Sequence, residues 1–141
     1  GDAWTCGLSK TGQAACWGAV QGVVASTTPH VYSSAPTFTS LAVGGFHACA
    51  LTSDGSAYCW GNNQVGQLGD STVTTRTDPT PVAGGVKFKS LTAGFFQTCG
   101  QTADGSVMCW GLNSAGELGE KNSITGPFRV TPRYIVLGVT P

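Results

Sequence analysis

A pattern of fourteen residues occurs three times in this chain: TCGLSKTGQAACWG at 5–18, ACALTSDGSAYCWG at 48–61 and TCGQTADGSVMCWG at 98–111, with offsets of 43 and 50 residues. Repetition at such a period means that one supersecondary unit is made several times and stacked, because a single unit this small cannot bury its own apolar face. A short glycine-containing approach (GDAW, GGFH, GFFQ) precedes each copy. The second and third copies continue into GNNQVGQLGD and GLNSAGELGE. The strand-like runs TFTSLAV (37–43) and KFKSLTA (87–93) lead into the next approach. The units therefore divide at approximately 1–43, 44–93 and 94–141.

Inside each copy, short β-rich runs flank a central Asp-Gly or Thr-Gly, with no apolar stripe of helical period. The reading is strand, turn, strand. Taking Asp54 as the mirror point, Gly55 fills the position that wants positive φ, and Thr52 pairs with Ser56, Leu51 with Ala57 and Ala50 with Tyr58. The next pair is Cys49 with Cys59. Residues directly opposed in an antiparallel ladder have Cα atoms about 4.5 to 5.5 Å apart, within reach of a disulfide. By the same arithmetic Cys6 faces Cys16, and Cys99 faces Cys109.

Each pair thus reads as a staple across its own hairpin, and closing so short a loop is worth about 2 to 3 kcal/mol. Free buried thiols are one rival reading and a metal site is another. Zinc sites favour two to four residues between paired cysteines, so nine across a hairpin does not suit one ion. Disulfides persist outside the reducing cytosol, which points to an extracellular, periplasmic or cell-surface setting.

The element A-L-T-x-D-G-x-x-Y/M-C-W-G-x-N-x-x-G-Q-L-G-D, followed by P-x-P-V and a strand ending S-L-x-A-G, resembles the repeat of the RCC1 (regulator of chromosome condensation 1) family. The residues that carry it include Leu51, Thr52, Asp54, Gly55, Trp60, Gly61, Asn63, Gly66, Gln67, Leu68 and Gly69, and Asp104, Gly105, Trp110, Gly111, Asn113, Gly116, Leu118 and Gly119 in the third unit. With its paired cysteines the chain is similar to exported bacterial members rather than to the nuclear protein. The resemblance implies an all-β fold of propeller blades, each four-stranded about a central axis. Three repeats make an incomplete ring, since propellers have about four to eight blades. The open edges then call for further blades or further copies of the chain. The apolar end RYIVLGVTP (133–141) is a candidate for a strand that completes a first blade in another copy, and GDAWTCG, without Met or a signal-like core, reads as a trimmed or processed start. The first unit lacks the Asn-x-x-Gly-Gln-Leu-Gly element, as terminal repeats often do.

Seven basic residues balance seven acidic ones, and only 10% of the chain is charged, so nothing attracts nucleic acid or an anionic membrane. No apolar run is long enough for a membrane-spanning helix. Only His30 and His47 would titrate near neutrality. His30 lies in a loop, and His47 occupies the slot taken by Trp4 and Gln97 in the sister units. Unrelated residues at one scaffold position argue against catalysis. Ser53, Ser56 and Ser106 sit in turns outside any nucleophile elbow, Asp54 and Asp104 are turn formers, and GNNQVGQLGD lacks the Lys-Ser/Thr of a phosphate loop. Trp17, Trp60 and Trp110 recur at one point and are expected in blade cores. The chain is expected to be no enzyme and to hold no cofactor or metal.

Trp4, Phe46, His47, Phe95 and Phe96 lie just ahead of equivalent strands, so a propeller gathers them on one face. Clustered aromatics give large contact area at low entropic cost, the composition of a recognition surface, although they also fill gaps between blades. The resulting expectation is an exported scaffold that binds a protein partner or further copies of itself. Carbohydrate binding and inhibition of an extracellular hydrolase are the alternatives.

Overall fold

The computed structural model of the chain describes residues 3–20, 24–119 and 126–135. Those residues form eleven strands and no helix. The first sheet contains β1 (Trp4–Leu8), β2 (Ala14–Val20) and β3 (Val24–Val31) in that order. The second contains β4 (Ser40–Val43), β5 (His47–Leu51), β6 (Ala57–Gly61) and β7 (Arg76–Pro81), and the third β8 (Ser90–Ala93), β9 (Gln97–Gln101), β10 (Val107–Leu112) and β11 (Phe128–Tyr134). Every pairing is antiparallel between neighbours in sequence.

The hairpin register follows the mirror at Asp54. Ala50 faces Tyr58, Leu51 faces Ala57, and the Ser56 carbonyl accepts from the Thr52 amide at 3.0 Å. Gly55 turns the chain at φ 85°, where a side chain is strained, and the Asp54 carboxylate accepts from the Ser56 amide at 3.1 Å. All three cysteine pairs are disulfides between the two strands of a hairpin, each with Cα atoms 4.1 Å apart.

The sheets are displaced by one strand from the repeat units. TFTSLAV closes the first unit of sequence, yet Ser40–Val43 pairs with β5 and becomes the first strand of the second sheet. Ser90–Ala93 does the same for the third. Of the C-terminal run expected to exchange (133–141), only the first residues are described. Arg133 and Tyr134 pair with Cys109 and Met108 of their own third sheet, and residues 136–141 lie outside the described residues.

The sheets stack face to face, and alternation along β5 explains how. Ala48 and Ala50 join Trp4, Phe38 and Trp60 in the core between the first and second sheets, whereas Cys49 and Leu51 join Leu68, Phe88 and Trp110 between the second and third. With both faces covered, every residue of β5 is buried. Phe38 and Phe88, two positions ahead of β4 and β8, lie against the tryptophan of the sheet they enter, with ring centroids 6.1 Å from Trp60 and 5.7 Å from Trp110. Burying a side chain of this size contributes about 2 to 3 kcal/mol. Trp60 and Trp110 are fully enclosed, while Trp17, on the outer side of the first sheet, is half-buried.

The glycine-rich segment after β6 packs between sheets. A Cβ on Gly66 would lie 2.5 Å from the Arg129 carbonyl oxygen, and one on Gly69 would lie 2.7 Å from Trp110 Nε1. Only glycine lets that backbone approach the third sheet. The segment is held open by Asn63, whose side-chain oxygen accepts from the Leu68 amide and whose amide donates to Asp70, Thr72 and Thr74, all at 3.0 to 3.3 Å. Asp70 in turn takes Arg76 Nε at 2.8 Å. Partial burial raises the Asp70 pKa, but hydrogen bonds from Thr72, Arg76 and Asn63 outweigh it and hold the carboxyl below its ordinary range. In the first sheet, which lacks this segment, Tyr32 covers the next tryptophan instead, its ring 5.3 Å from Trp60.

Candidate functional site

The loops β4–β5 and β8–β9 leave the sheets on the same side and touch. The Gly45 amide donates to the Gly94 carbonyl at 3.2 Å, and a Cβ on Gly44 would stand 2.4 Å from that same oxygen. This contact brings three phenylalanines together. Phe46 stacks on Phe96 at 5.3 Å and 15°, and Phe95 meets both edge-on, at 5.1 Å from Phe46 and 4.8 Å from Phe96. Mutual ring contacts of this kind add about 0.5 to 1.5 kcal/mol beyond area burial, so the cluster is held in shape before anything binds it. Phe95 remains 48% exposed, and Phe46 and Phe96 are half-buried.

Trp4 and His47 do not join that surface. Trp4 is only 3% exposed and donates Nε1–H to the Gly44 carbonyl at 3.3 Å, so it wedges the first sheet against the second. His47 is fully buried, its Nε2 2.7 Å from Thr98 Oγ1. The Thr98 hydroxyl donates to the Gln67 carbonyl at 2.8 Å, which leaves its oxygen to accept from His47 Nε2–H. Burial lowers the His47 pKa to about 4, so the ring is neutral at physiological pH and works as an inter-sheet donor. The expectation that these two residues contact a partner is therefore corrected: alternation along β1 and β5 points them between sheets. Their counterpart Gln97 accepts from the Phe96 amide at 3.1 Å and steadies the loop.

The remaining polar groups serve turns. Hydrogen bonds from Thr52, then Lys87, hold the Asp54 carboxyl far below its ordinary range, and Thr102 acts on Asp104 in the same way. Both carboxylates are exposed on separate hairpin tips and face no common cleft. His30 is exposed and lines a 480 Å³ cleft between β3 and β7 with Tyr32, Tyr58 and Asp78. No group of three metal-ligating side chains occurs among the described residues.

The sequence reading missed Gly44, Gly45 and Gly94, which allow the two aromatic loops to meet, and Thr98, which couples His47 to Gln67. The doubled glycine of GGFH was the available signal. Thr98 had none, because its role depends on two other strands.

Comparison with known proteins adds family and architecture. Models described as the regulator of chromosome condensation (RCC1) repeat match residues 38–67 and 88–117, and residues 54–100, which together span 38–117. No curated protein matches in a sequence search. Among solved structures, yeast RCC1 (Prp20) bound to Kap60 superposes with a TM-score of 0.83 at 24% identity, covering 98% of this chain and 34% of that one. Human WBSCR16 gives 0.81 at 20% identity, covering 99% and 38%. The ectodomain of the receptor kinase CR4 of Physcomitrella patens gives 0.58 at 30% identity, covering 82% and 28%. The chain thus spans about a third of the length of these structures. The three sheets are consecutive propeller blades and the described residues form an open arc.

Proposed function

Because this chain belongs to the RCC1 repeat family, we propose that it is a non-enzymatic, exported propeller module that binds another protein through the face carrying Phe46, Phe95 and Phe96. The observation that carries this reading is the clustered phenylalanine surface, with Phe95 48% exposed on loops clamped backbone to backbone. A preformed aromatic patch loses little freedom on binding and suits a protein partner. The yeast structure is of Kap60 bound to RCC1 (Prp20), a protein with this fold that has a protein partner, which supports the reading. Three disulfides fit an oxidising compartment, and the similar moss chain is an ectodomain. No helix of the described residues is long and apolar enough to cross a membrane. A structural or scaffolding role within a surface assembly follows from this reading.

The test is capture from the native source with the wild-type chain and with Phe95→Ser. The expected result is loss of the captured protein with a Tm lowered by less than about 3 °C, as for most exposed substitutions. Undiminished capture together with a large fall in Tm would assign the cluster to packing alone.

Carbohydrate binding is the second reading. It rests on the cleft lined by His30, Tyr58 and Asp78, which combines aromatic faces with a carboxylate. A glycan array with Asp78→Ala as control separates the two.

A further inference from the structure

Between β7 and β11 the glycine-rich segment reaches the outer strand, where the Ser71 amide donates to the Val130 carbonyl at 2.9 Å and Gly66 lies against Arg129. The first unit has no such segment in its sequence, and the corresponding space between β3 and β7 stays open. It forms two hollows of 480 and 470 Å³ that share His30 and Asp78. Each is within the size range of ligand sites, and joined at those two residues they make one groove along the outer strands. Tyr32 and Tyr58 line the first hollow, and Ser26 and Thr28 line the second.

Three properties of the walls select a ligand. Of the three carboxylates in the second blade, Asp54 pairs with Lys87 and Asp70 with Arg76, but Asp78 makes no ion pair among the described residues. No lysine or arginine lines either hollow, so the groove carries a negative charge that a ligand cation would complement. Tyr32 is 3% exposed, yet its hydroxyl makes no hydrogen bond among the described residues. Burial first, and then the Asp78 charge, push its pKa up to about 12. The Trp60 indole N–H acts on the same oxygen in smaller measure, but it is a donor, so the phenol proton stays without an acceptor. A ligand oxygen would supply one. The His30 ring meets Tyr32 edge-on at 5.0 Å, and the half-buried Tyr58 adds a further aromatic wall suited to C–H faces and to cations. We infer that the groove binds an oligosaccharide bearing free amino groups: a sugar ammonium meets Asp78, a sugar oxygen accepts from Tyr32, and a ring face lies on Tyr58. This rests on the carbohydrate reading above and narrows it to cationic sugars. Acidic sugars are repelled by Asp78, and Pro29 and Pro79 leave two wall positions with no amide to offer an extended peptide.

The probe is a short glucosamine oligomer titrated into the full chain by calorimetry, beside its N-acetylated form of equal length and a linear polyamine. The expected result is saturable binding of the glucosamine oligomer. Acetylation removes the charge and should weaken binding by about tenfold or more, and the polyamine, which has no oxygen for Tyr32, should bind as weakly. Asp78 is exposed, so Asp78→Asn should keep its Tm and lose about tenfold or more in affinity. Tyr32→Phe should weaken binding by about three- to tenfold with Tm unchanged or raised, because the hydroxyl it removes has no acceptor to lose. Equal or tighter binding of the acetylated oligomer overturns the amine assignment while leaving the carbohydrate reading in place, whereas absence of binding by either oligomer sinks both. A polyamine or a lysine-rich peptide that binds as tightly as the glucosamine oligomer makes this a simple cation site and overturns the sugar. Unchanged affinity in both variants overturns the inference as well, since the sugar would then bind elsewhere.

Discussion

Removing the middle clasp by Cys49→Ala together with Cys59→Ala tests how these blades are supported. The disulfide joins residues ten apart in sequence, and the chain-entropy relation gives about 2.7 kcal/mol at 25 °C for a loop of that length. Both cysteines are fully buried between blades, so losing their sulfurs also leaves small voids costing about 1 kcal/mol or more. The expected loss is therefore about 4 kcal/mol. For a chain of 141 residues the unfolding entropy near Tm is about 0.3 kcal/mol per kelvin, so Tm should fall by about 13 °C. Urea titration followed by tryptophan fluorescence measures the first quantity and calorimetry the second. The m-value should rise, because an uncrosslinked denatured chain exposes more surface. A loss below about 1 kcal/mol with an unchanged m-value would refute the argument, since the strand pairing alone would then be holding Cys49 opposite Cys59.

Other tests probe separate links. Gly44→Ala places a Cβ 2.4 Å from the Gly94 oxygen and 2.6 Å from His47 Cε1, and should cost about 1 to 3 kcal/mol in chemical denaturation while leaving the hairpin disulfides formed. Asn63→Ala strands the Leu68 amide and the Asp70–Thr74 turn, so it should cost about 2 to 3 kcal/mol and admit limited proteolysis within 62–74. His47 has a folded pKa of about 4 against 6.5 unfolded, so the unfolded state binds more protons between those values. Its contribution is complete above pH 6.5 and is lost as pH falls toward 4, up to roughly 3 kcal/mol, and His47→Gln should flatten that part of the stability profile. Within the clasps, Cys99 is half-buried while Cys49 and Cys59 are enclosed, so dithiothreitol should open Cys99–Cys109 before Cys49–Cys59 in a quenched alkylation time course.

The hairpins were legible because their information is local. A turn at Asp54-Gly55 and a symmetric cysteine pair fix the register within eleven residues, and the structure keeps that register in all three copies. Strand membership was less legible. Ser40–Val43 closes the first unit of sequence, but its ladder partner comes later, and nothing in a four-residue run says which neighbour it will join. The candidate surface divided along the same line. Phe46, Phe95 and Phe96 sit on loops whose glycines announce close approach, whereas Trp4 and His47 are first residues of strands, and their inward direction depends on which face the adjoining blade covers. The core role read for the recurrent tryptophans held where a preceding Phe-x-Ser-Leu segment exists, and Trp17 differs for want of one among the described residues.

The short reach of each sulfur bridge also bears on how the chain matures. Six cysteines permit fifteen complete pairings, yet each native partner is the nearest cysteine across a turn. The closest wrong encounter, Cys16 with Cys49, spans about three times as much chain and costs about 1 kcal/mol more in closure entropy. Under oxidising conditions closure entropy therefore favours the correct bonds one hairpin at a time, with little call on a shuffling catalyst.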